Sequence, residues 1–333
     1  MKEFDLLNDI YYLEEYASLY LKTGESEFFF EYDEGEDKFV NIAIKRPIDK
    51  IGNIRIVDGY FDLETAYGYG GYYTTTDSQD FLCRAFEAYK QKCLNEKIIA
   101  EFIRFHPYND MPSVHGSYFN FVVPDRKTVS IDLSLTKQAR WSKYSATTRN
   151  ILRRASAKLA FKETPDIDAF MALYQATMEK NNADRGYYFL REYYEKLLAL
   201  ENVKLFAVTC ENSIVNMSFV LFGQKLAHYH LSANNNEFLR LNGNYYLLDA
   251  VCDYVNTNYP TISDFHLGGG RTNAPDDSLL AYKSKFSNIR KNFYIAGKVF
   301  NPPVYRQYVD LFNELHPEHI NANFFLKYRM ECL

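Results

Sequence analysis

The sequence predicts an α/β (α+β) protein with two domains, and two observations support this. The chain has 333 residues, which is long for one compact core and suits two domains of roughly 100–200 residues each. Each half also contains a segment with strand character, then a helix, then a second strand. Connections of this kind usually give parallel neighbours in one sheet, so we expect such a pair of strands in each half.

The first strand–helix–strand unit spans residues 64–107. A strand is expected at 64–71 and a second one at 98–107. The helix between them is expected to start near Asp77 or Ser78, because both residue types are good N-caps. Its apolar residues recur with helical spacing: Phe81, Leu82, Ala85, Phe86, Tyr89 and Cys93.

The second unit repeats this order of elements without repeating the sequence. Strands are expected at 226–233 and 262–270. The buried stripe of the helix between them consists of five apolar residues: Leu247, Leu248, Val251, Cys252 and Val255.

A basic segment, residues 141–158, lies between the halves and contains no acidic residue. Its spacing predicts a helix from about Ser145, and a second helix is expected from Asp166 or Asp168 to about Lys180. We therefore place a first domain at 1–140, a second at 141–301, and a C-terminal helical tail at 302–333 that packs back on one of them. The five cations create a local positive field that suits phosphate-bearing ligands, although a solvated helix face explains them equally well: Lys143, Arg149, Arg153, Arg154 and Lys158.

Composition excludes several classes of protein. The formal charge of −5 argues against a nucleic-acid coat protein, which needs a basic surface. The five cysteines are scattered and form no CxxC motif, which argues against zinc and disulfides and favours a reduced, cytoplasmic location. The acidic N-terminal segment does not resemble a signal peptide, and no apolar run is long enough to span a membrane.

Glycine-rich and histidine-containing motifs are further candidates. Residues 67–71 read YGYGG, whose glycines allow close approach to a ligand and whose tyrosines supply polar groups, with a bulge or turn as the alternative. Residues 268–271 read GGGR, which predicts a flexible or anion-binding loop. His228 and His230 share one face of a strand, but no third ligand has a recognisable spacing, so no metal is expected. His106 has an intrinsic pKa suited to accepting a proton from an amine, with a purely structural role as the alternative.

Two lysine- and arginine-containing segments could contact a donor or a reacting carbonyl. Arg240, Gly243 and Asn244 lie at a strand-to-helix turn, where backbone N–H groups can bind a pyrophosphate, although an ordinary turn explains them as well. Lys283 and Lys285 alternate with aromatic residues in an expected strand or turn. A lysine held there could stabilise an oxyanion, and exposed lysines on an amphipathic strand are the alternative.

Several motifs, in this order, resemble the FemAB-like branch of the GNAT acyltransferase superfamily. They run across residues 60–300: YGYGG, EFIRFHP, IDLS, W-x-x-Y with RNILRRASAK, AHYHLSA, FHLGGG and DSLLAYKSKFS. Residues 240–245 also resemble the GNAT signature Gln/Arg-x-x-Gly-x-Gly/Ala, with Tyr245 at the last position. The resemblance implies two tandem GNAT-like lobes, each a mixed β-sheet flanked by helices.

The resemblance also implies roles for individual residues. Lys283 matches the lysine of the Fem "Phe-Lys" motif. Arg185 looks like the Fem arginine that helps to bind the phosphates of the nucleotide-linked acceptor. Lys45 or Arg46 resembles a residue of similar function, in a looser alignment. The expected catalytic residues are Lys283, His106 and Tyr69. The expected substrate-binding residues are Arg185, Arg46, Tyr67, Arg149, Arg153 and Arg154. The expected cofactor-binding residues are Arg240, Gly243 and Asn244.

The function that this resemblance implies is transfer of an acyl or aminoacyl group to an amine. The donor would be acyl-CoA or an aminoacyl-tRNA, used as a co-substrate with no tightly bound cofactor or metal. The acceptor would be a phosphate-bearing precursor of the cell wall or of a surface polysaccharide, such as an amino sugar nucleotide or a peptidoglycan peptide. The alternative is a non-catalytic protein that binds nucleotide sugars or glycan precursors, since a fold does not fix a function.

Overall fold

The computed structural model describes residues 5–183 and 185–330, except for the side chain of Arg185. The chain divides into two compact units. The first unit is built mainly from residues 11–125 and from residue 293 onwards, and the second from residues 8–10 and 126–292. None of the described helices combines the length and the apolarity that a membrane crossing requires.

The division between the units differs from the domains expected from the sequence. The chain leaves the first unit between Asp125 and Arg126, inside strand β8 (Phe121–Asp132), rather than near residue 140. It returns between Asn292 and Phe293, inside strand β14 (Ile289–Val299). Both crossing points lie inside strands rather than in a Gly-, Pro- or Ser-rich linker, and the single Pro124 in β8 does not distinguish the first of them from an ordinary strand.

Among the residues that the structure describes, the first unit contains seven further strands and four α-helices. The strands are β1 (Ser26–Glu34), β2 (Asp37–Pro47), β3 (Lys50–Ile51), β4 (Ile54–Arg55), β5 (Phe61–Glu64), β6 (Tyr73–Thr74) and β7 (Ile98–Arg104). The helices are α1 (Glu14–Ser18), α2 (Gln79–Asn95), α3 (Met111–Val114) and α10 (Pro302–Leu315). Short 3-10 helices lie at Ile10–Tyr12, Gly116–Tyr118, Pro317–His319 and Lys327–Arg329.

The main sheet of the first unit is mixed, with the order β1-β2-β5-β7-β14. β5 and β7 are parallel and are connected through α2, as predicted, and the other neighbours are antiparallel. The Ser78 hydroxyl caps α2 by accepting from the N–H of Phe81, and the predicted stripe of α2 is buried. The strand predicted at 64–71 is wrong beyond Glu64, because Gly68 and Gly71 adopt φ values of 98° and 79° that a strand does not contain.

The C-terminal tail packs in the first unit. Tyr308 and Phe312 of α10 lie in an apolar cluster with Ile48, Ile51 and Ile99. The helix begins at Pro302, as the proline pair predicts, because proline is tolerated in the first turn of a helix.

The described part of the second unit contains five further strands and six α-helices. The strands are β9 (Ala160–Glu163), β10 (Val203–Cys210), β11 (Ser213–Phe222), β12 (Leu226–Asn234) and β13 (Asp264–Gly269). The helices are α4 (Lys137–Ser142), α5 (Ala146–Ser156), α6 (Ile167–Lys180), α7 (Arg191–Ala199), α8 (Gly243–Asn258) and α9 (Ser278–Lys283). Short 3-10 helices lie at Arg185–Tyr187 and Asn236–Leu241.

The sheet of the second unit is also mixed, with the order β8-β13-β12-β11-β10-β9. β12 and β13 are parallel and are connected through α8, which confirms the second predicted unit. The apolar stripe of α8 packs with Leu152 and Ala155 of α5. Ser145 caps α5 and Asp166 caps α6, as predicted. The chain therefore has an α/β fold with two units, each a mixed sheet flanked by helices.

Candidate active site

Lys283 lies at the end of α9, and its amino group is buried. The side chain is 7% exposed, and Nζ donates a hydrogen bond of 2.7 Å to the carbonyl oxygen of Gly269 at the end of β13. Burial lowers the pKa of Lys283 to about 7, against an opposing effect of the negative charge of Asp277. This amino group can therefore change its charge near neutral pH, which an exposed lysine does not do.

The segment around Lys283 is a helix, not the expected strand or turn. Lys285 lies beyond the end of α9, is exposed, and donates from Nζ to the hydroxyl of Tyr245 at 2.8 Å. The Tyr245 and Tyr282 rings lie 5.2 Å apart, so the first turn of α8 contacts α9. The two lysines that the sequence paired thus have different environments, and only Lys283 is buried.

Asp277 organises the loop that connects β13 to α9. Its carboxylate accepts from the backbone N–H groups of Arg271, Thr272 and Leu280 at 2.9, 3.0 and 2.8 Å. Burial raises the pKa of Asp277, but these donors outweigh it, so the pKa is lowered. The loop is therefore tied to the N-terminus of α9.

The glycines of this loop have structural explanations, while the flexible or anion-binding loop expected from the sequence stays a prediction. Gly268 has a φ of 75° at a bulge of β13. A Cβ on Gly270 would lie 2.4 Å from Oδ1 of Asp277, and one on Gly269 would lie 3.0 Å from the carbonyl oxygen of Lys127. A bulge and close packing thus account for all three glycines.

The residues expected to hold a pyrophosphate lie at the start of α8. Arg240 is exposed at the end of a 3-10 helix, and Asn244 is half-buried in the first turn. Gly243 begins the helix, and a Cβ there would lie 2.6 Å from Cγ1 of Val215. The glycine is therefore required by the contact between α8 and β11, whatever else binds at this turn.

The basic segment 141–158, which contains α5, carries most of its charge on the surface. Lys143, Arg153, Arg154 and Lys158 are exposed, and Arg153 donates to the side chain of Asn150 at 2.9 Å. Arg149 is half-buried and donates to the carbonyl oxygen of Tyr144. Arg149 is thus held by the residue just before the cap of α5, whereas the other four cations are exposed to an anionic ligand.

The cations assigned near residue 45 are already neutralised in the first unit. Arg46 forms ion pairs with Asp62, at 2.8 Å, and with Glu64. Lys45 pairs with Glu96 at 2.8 Å. These contacts do not favour the phosphate-binding role expected for Arg46 or Lys45. The Arg185 side chain, the other expected phosphate ligand, lies outside the described residues.

Tyr69 and His106 come together in the first unit. Their ring centroids are 6.0 Å apart, and the ring of Tyr11 lies 5.4 Å from Tyr69. Tyr67 contacts the ring of Tyr20 at 5.7 Å, and its carbonyl oxygen accepts from the hydroxyl of Tyr16. The YGYGG segment therefore belongs to an aromatic cluster with the N-terminal residues.

The hydrogen bond to the His106 ring determines what the ring can do. Nδ1 accepts from the backbone N–H of Tyr108 at 3.2 Å. In the neutral imidazole the proton is then on Nε2. His106, which is 1% exposed, thus offers an N–H donor in this state, and this differs from the proton-accepting role that the sequence suggested.

A chain of three buried ionisable residues in the second unit was missed in the sequence. Nε2 of His228 lies 2.8 Å from Oδ2 of Asp9, and Nδ1 of His228 lies 3.3 Å from Nδ1 of His266. All three residues are at most 2% exposed. The feature that could have revealed the contact between the two histidines is the parallel pairing of β12 and β13, which places His228 directly opposite His266.

Comparison with known families identifies a domain in the second half of the chain. Residues 142–284 match the family model described as "Acetyltransferase (GNAT) domain". This segment contains α5, α8, β13 and Lys283. No curated protein matches the chain at a significant level.

Solved structures show the same fold at low sequence identity. The structure of FemX is similar with a TM-score of 0.69 and 13% identity, covering 91% of this chain and 94% of FemX. The C-terminal domain (DUF2156) of a putative lysylphosphatidylglycerol synthetase from Agrobacterium fabrum is similar with a TM-score of 0.53 and 13% identity. The match covers 89% of this chain and 96% of that domain. A conserved protein of unknown function from Bacteroides thetaiotaomicron is similar with a TM-score of 0.51 and 12% identity. The match covers 88% of this chain and 90% of that protein.

These similarities agree with the motifs found in the sequence. The GNAT domain and the FemX-like fold support acyl or aminoacyl transfer in general. Residues 142–284 match the GNAT acetyltransferase domain, and the chain as a whole has the fold seen in FemX.

Proposed function

We propose that this protein is an N-acyltransferase or aminoacyltransferase that acts on an amine of a cell-wall or surface-polysaccharide precursor. The observation that carries the proposal is the buried Lys283 amino group, held by Gly269 within the GNAT domain. A buried, fixed ammonium group is well suited to stabilising negative charge that develops on a carbonyl oxygen.

The proposed reaction is direct attack of the acceptor amine on the donor's thioester or ester carbonyl. A tetrahedral intermediate forms with negative charge on oxygen, and the Lys283 ammonium stabilises that charge. The C–S or C–O bond to the donor then breaks, and the amine loses a proton. Holding amine and carbonyl together removes much of the entropic part of the barrier.

The donor is proposed to be acyl-CoA or an aminoacyl-tRNA. The N-terminus of α8 would hold the pyrophosphate of CoA, with Arg240 and Asn244 beside it. The exposed cations of α5 would contact the phosphates of a tRNA or of the acceptor. The names of two structural neighbours, FemX and a lysylphosphatidylglycerol synthetase domain, favour an aminoacyl group as the group transferred.

The test is a transfer assay with a defined panel. Acetyl-CoA and a set of charged tRNAs are each combined with UDP-N-acetylmuramyl pentapeptide or an amino sugar nucleotide, and amide products are detected by mass spectrometry. Donor binding is measured at several salt concentrations, because affinity for tRNA falls steeply with salt. Binding of a nucleotide sugar without turnover of any donor would contradict the proposal.

Lys283→Met is expected to lower kcat by about 10²–10³, the usual loss when one oxyanion donor is removed. The matched control is Lys285→Met, which removes an exposed lysine two residues away and should change the rate by less than about threefold. A folded K283M protein with full activity would eliminate the oxyanion role.

The pH dependence of kcat/KM shows whether Lys283 acts as an ammonium group or as a neutral amine. Because the pKa is about 7, the ammonium form is lost as pH rises above 7, and kcat/KM is expected to fall with it. Lys283→Arg keeps its proton at all these pH values and should extend activity to higher pH. An increase of kcat/KM through the same range would show that the neutral amine is the active form instead.

A further inference from the structure

We propose that Arg271 binds a phosphate group of the acceptor and thereby places the acceptor amine near Lys283. The proposal rests on the proposed acyl transfer to a phosphate-bearing precursor. Two arginines that the sequence suggested for this role are already engaged. Arg46 forms ion pairs with two carboxylates of the first unit, and Arg149 donates to a backbone carbonyl oxygen. Arg271, the last residue of the GGGR motif, has no such ion pair among the described residues.

The guanidinium group of Arg271 is accessible to a ligand. Arg271 is exposed, and within the described part of the chain its side chain makes one hydrogen bond, from Nη2 to Oδ1 of Asn181 at 2.7 Å. By contrast, Arg191, another exposed arginine of the second unit, is paired with Asp168 and Glu195. Most N–H donors of Arg271 are therefore left for an external group, and a guanidinium can bind a phosphate through two parallel hydrogen bonds.

The backbone of Arg271 is fixed to the helix that carries Lys283. Its N–H donates to Oδ2 of Asp277 at 2.9 Å, and Oδ1 of the same carboxylate accepts from the N–H of Leu280 in α9 at 2.8 Å. Nζ of Lys283 donates to the carbonyl oxygen of Gly269, two residues before Arg271. Two residues of chain span at most about 7 Å. An acceptor held at its phosphate by Arg271 would thus have its other end directed to one nearby reacting centre.

The charges around this loop favour an anion. Arg126 of β8 donates from Nη1 to the carbonyl oxygen of Arg271 at 2.9 Å, which brings a second guanidinium group to the loop. The carboxylate of Asp277 contacts the loop through backbone N–H groups and does not pair with the guanidinium of Arg271. Asp276 is exposed to solvent. Together with Lys283, the two guanidinium groups attract a negatively charged ligand.

The contact with Asn181 has a structural explanation as well. Asn181 is the C-cap of α6, where the backbone carbonyl groups carry partial negative charge, so Arg271 could simply anchor the chain that follows this helix. Anchoring predicts that removal of either partner lowers stability to a similar extent. Phosphate binding predicts instead a loss of affinity that Asn181→Ala does not share.

The first test measures binding without turnover. Inorganic pyrophosphate is titrated into the full-length protein at low salt by isothermal titration calorimetry. We expect Arg271→Gln to weaken binding by about 10–100-fold, the usual range when a charge-assisted contact is lost. Arg271→Lys keeps the charge without the planar fork and should give an intermediate affinity. Asn181→Ala and the matched control Arg191→Gln should each change the affinity by less than about threefold.

Several results would overturn the proposal. These are a wild-type protein that does not bind pyrophosphate, an R271Q protein that binds it as tightly as the wild type, and a loss of binding in Arg240→Gln alone, which would place the anion at the start of α8. Urea unfolding accompanies the titrations. Equal losses of stability and of affinity in R271Q and N181A would show that Arg271 only anchors the loop.

The second test is kinetic, with the donor and acceptor that turn over in the panel. The acceptor is assayed with and without its phosphate groups. We expect R271Q to raise KM for the phosphorylated acceptor by about 10–100-fold, with kcat changed by less than about threefold, because the contact is made equally in the ground state and the transition state. KM for the acceptor without phosphate should stay unchanged. An increase of KM for the donor alone, or equal losses with both acceptors, would contradict the assignment.

The two tests separate the phosphate site from the function on which it rests. If no donor turns over, the proposed function fails, while the pyrophosphate titration still decides whether Arg271 binds an anion.

Discussion

Glu101 is a buried carboxyl group whose described partners are all neutral. It is 0% exposed and accepts from the hydroxyls of Tyr72 and Tyr89 and from the side-chain amide of Asn41. Burial raises the pKa of Glu101 from 4.5 to about 7, although these three donors lower it. The first unit therefore holds a carboxyl group that is largely protonated at mildly acidic pH.

The stability of the protein should depend on the protonation of Glu101. Between pH 4.5 and 7 the folded state binds more protons at this residue than the unfolded state, so its contribution is complete below 4.5 and is lost as pH rises through 7. Compared with Glu101→Gln, the wild type should lose stability over this range, at a slope of up to about 1.4 kcal/mol per pH unit. Urea unfolding at several pH values measures the difference.

The comparison isolates Glu101, since all other groups titrate equally in both proteins. Glu87→Gln, which changes an exposed glutamate on α2, is the control and should follow the wild-type curve. Parallel curves for wild type and E101Q would contradict a raised pKa.

At the scale of elements, local sequence signals predicted the long helices well. Ser78, Ser145 and Asp166 each cap the helix that the sequence assigned to them. Helix α9 was missed because its six residues give too short a pattern, and its cap, Asp277, is fixed by contacts to the loop before it. Caps and apolar stripes are local, whereas a short helix depends on what surrounds it.

The same distinction applies to the candidate site. Lys283 was found from a motif, but its burial and its bond to Gly269 were not predictable from neighbouring residues. Asp9 and His228 are 219 positions apart in the chain, so no local pattern relates them. The sequence predicted that β12 and β13 are parallel neighbours. If the register between the two strands had also been known, the contact between His228 and His266 could have been predicted.

The packing of α8 on β11 gives a prediction for one glycine. Gly243→Ala should destabilise the protein by about 1–3 kcal/mol, because the new Cβ would lie 2.6 Å from Cγ1 of Val215, a stiff and buried side chain. Chemical denaturation measures the loss.

Val215→Ala in the same chain should recover part of that stability, since it removes the clash. The matched control is Gly116→Ala, whose Cβ would meet its nearest neighbour at 3.8 Å. Equal effects at Gly243 and Gly116 would show that α8 can move away from the sheet at no cost.

At the scale of the whole molecule, neither unit is one continuous stretch of chain. The first unit is completed by residues after 293, which supply the β14 residues paired with β7 and the core residues Ala296 and Phe300. The same segment supplies Arg329, which pairs with Asp62 at 2.8 Å.

Removal of residues 293–333 should therefore unfold the first unit. The shortened chain is expected to show new protease cleavage sites within residues 11–125, mapped by mass spectrometry after limited digestion. The full-length protein, digested in parallel, is the control. Protection of residues 11–125 in the shortened chain would contradict this dependence.

The crossing of the chain inside β8 and β14 also sets an order for events during synthesis. All of the second unit has been synthesised once residue 292 is translated, whereas the first unit still lacks the strand that pairs with β7. The earlier-made part of the nascent chain thus waits with an open sheet edge, the kind of surface that invites aggregation, until the last residues arrive. Chaperone demand should therefore be greatest late in translation.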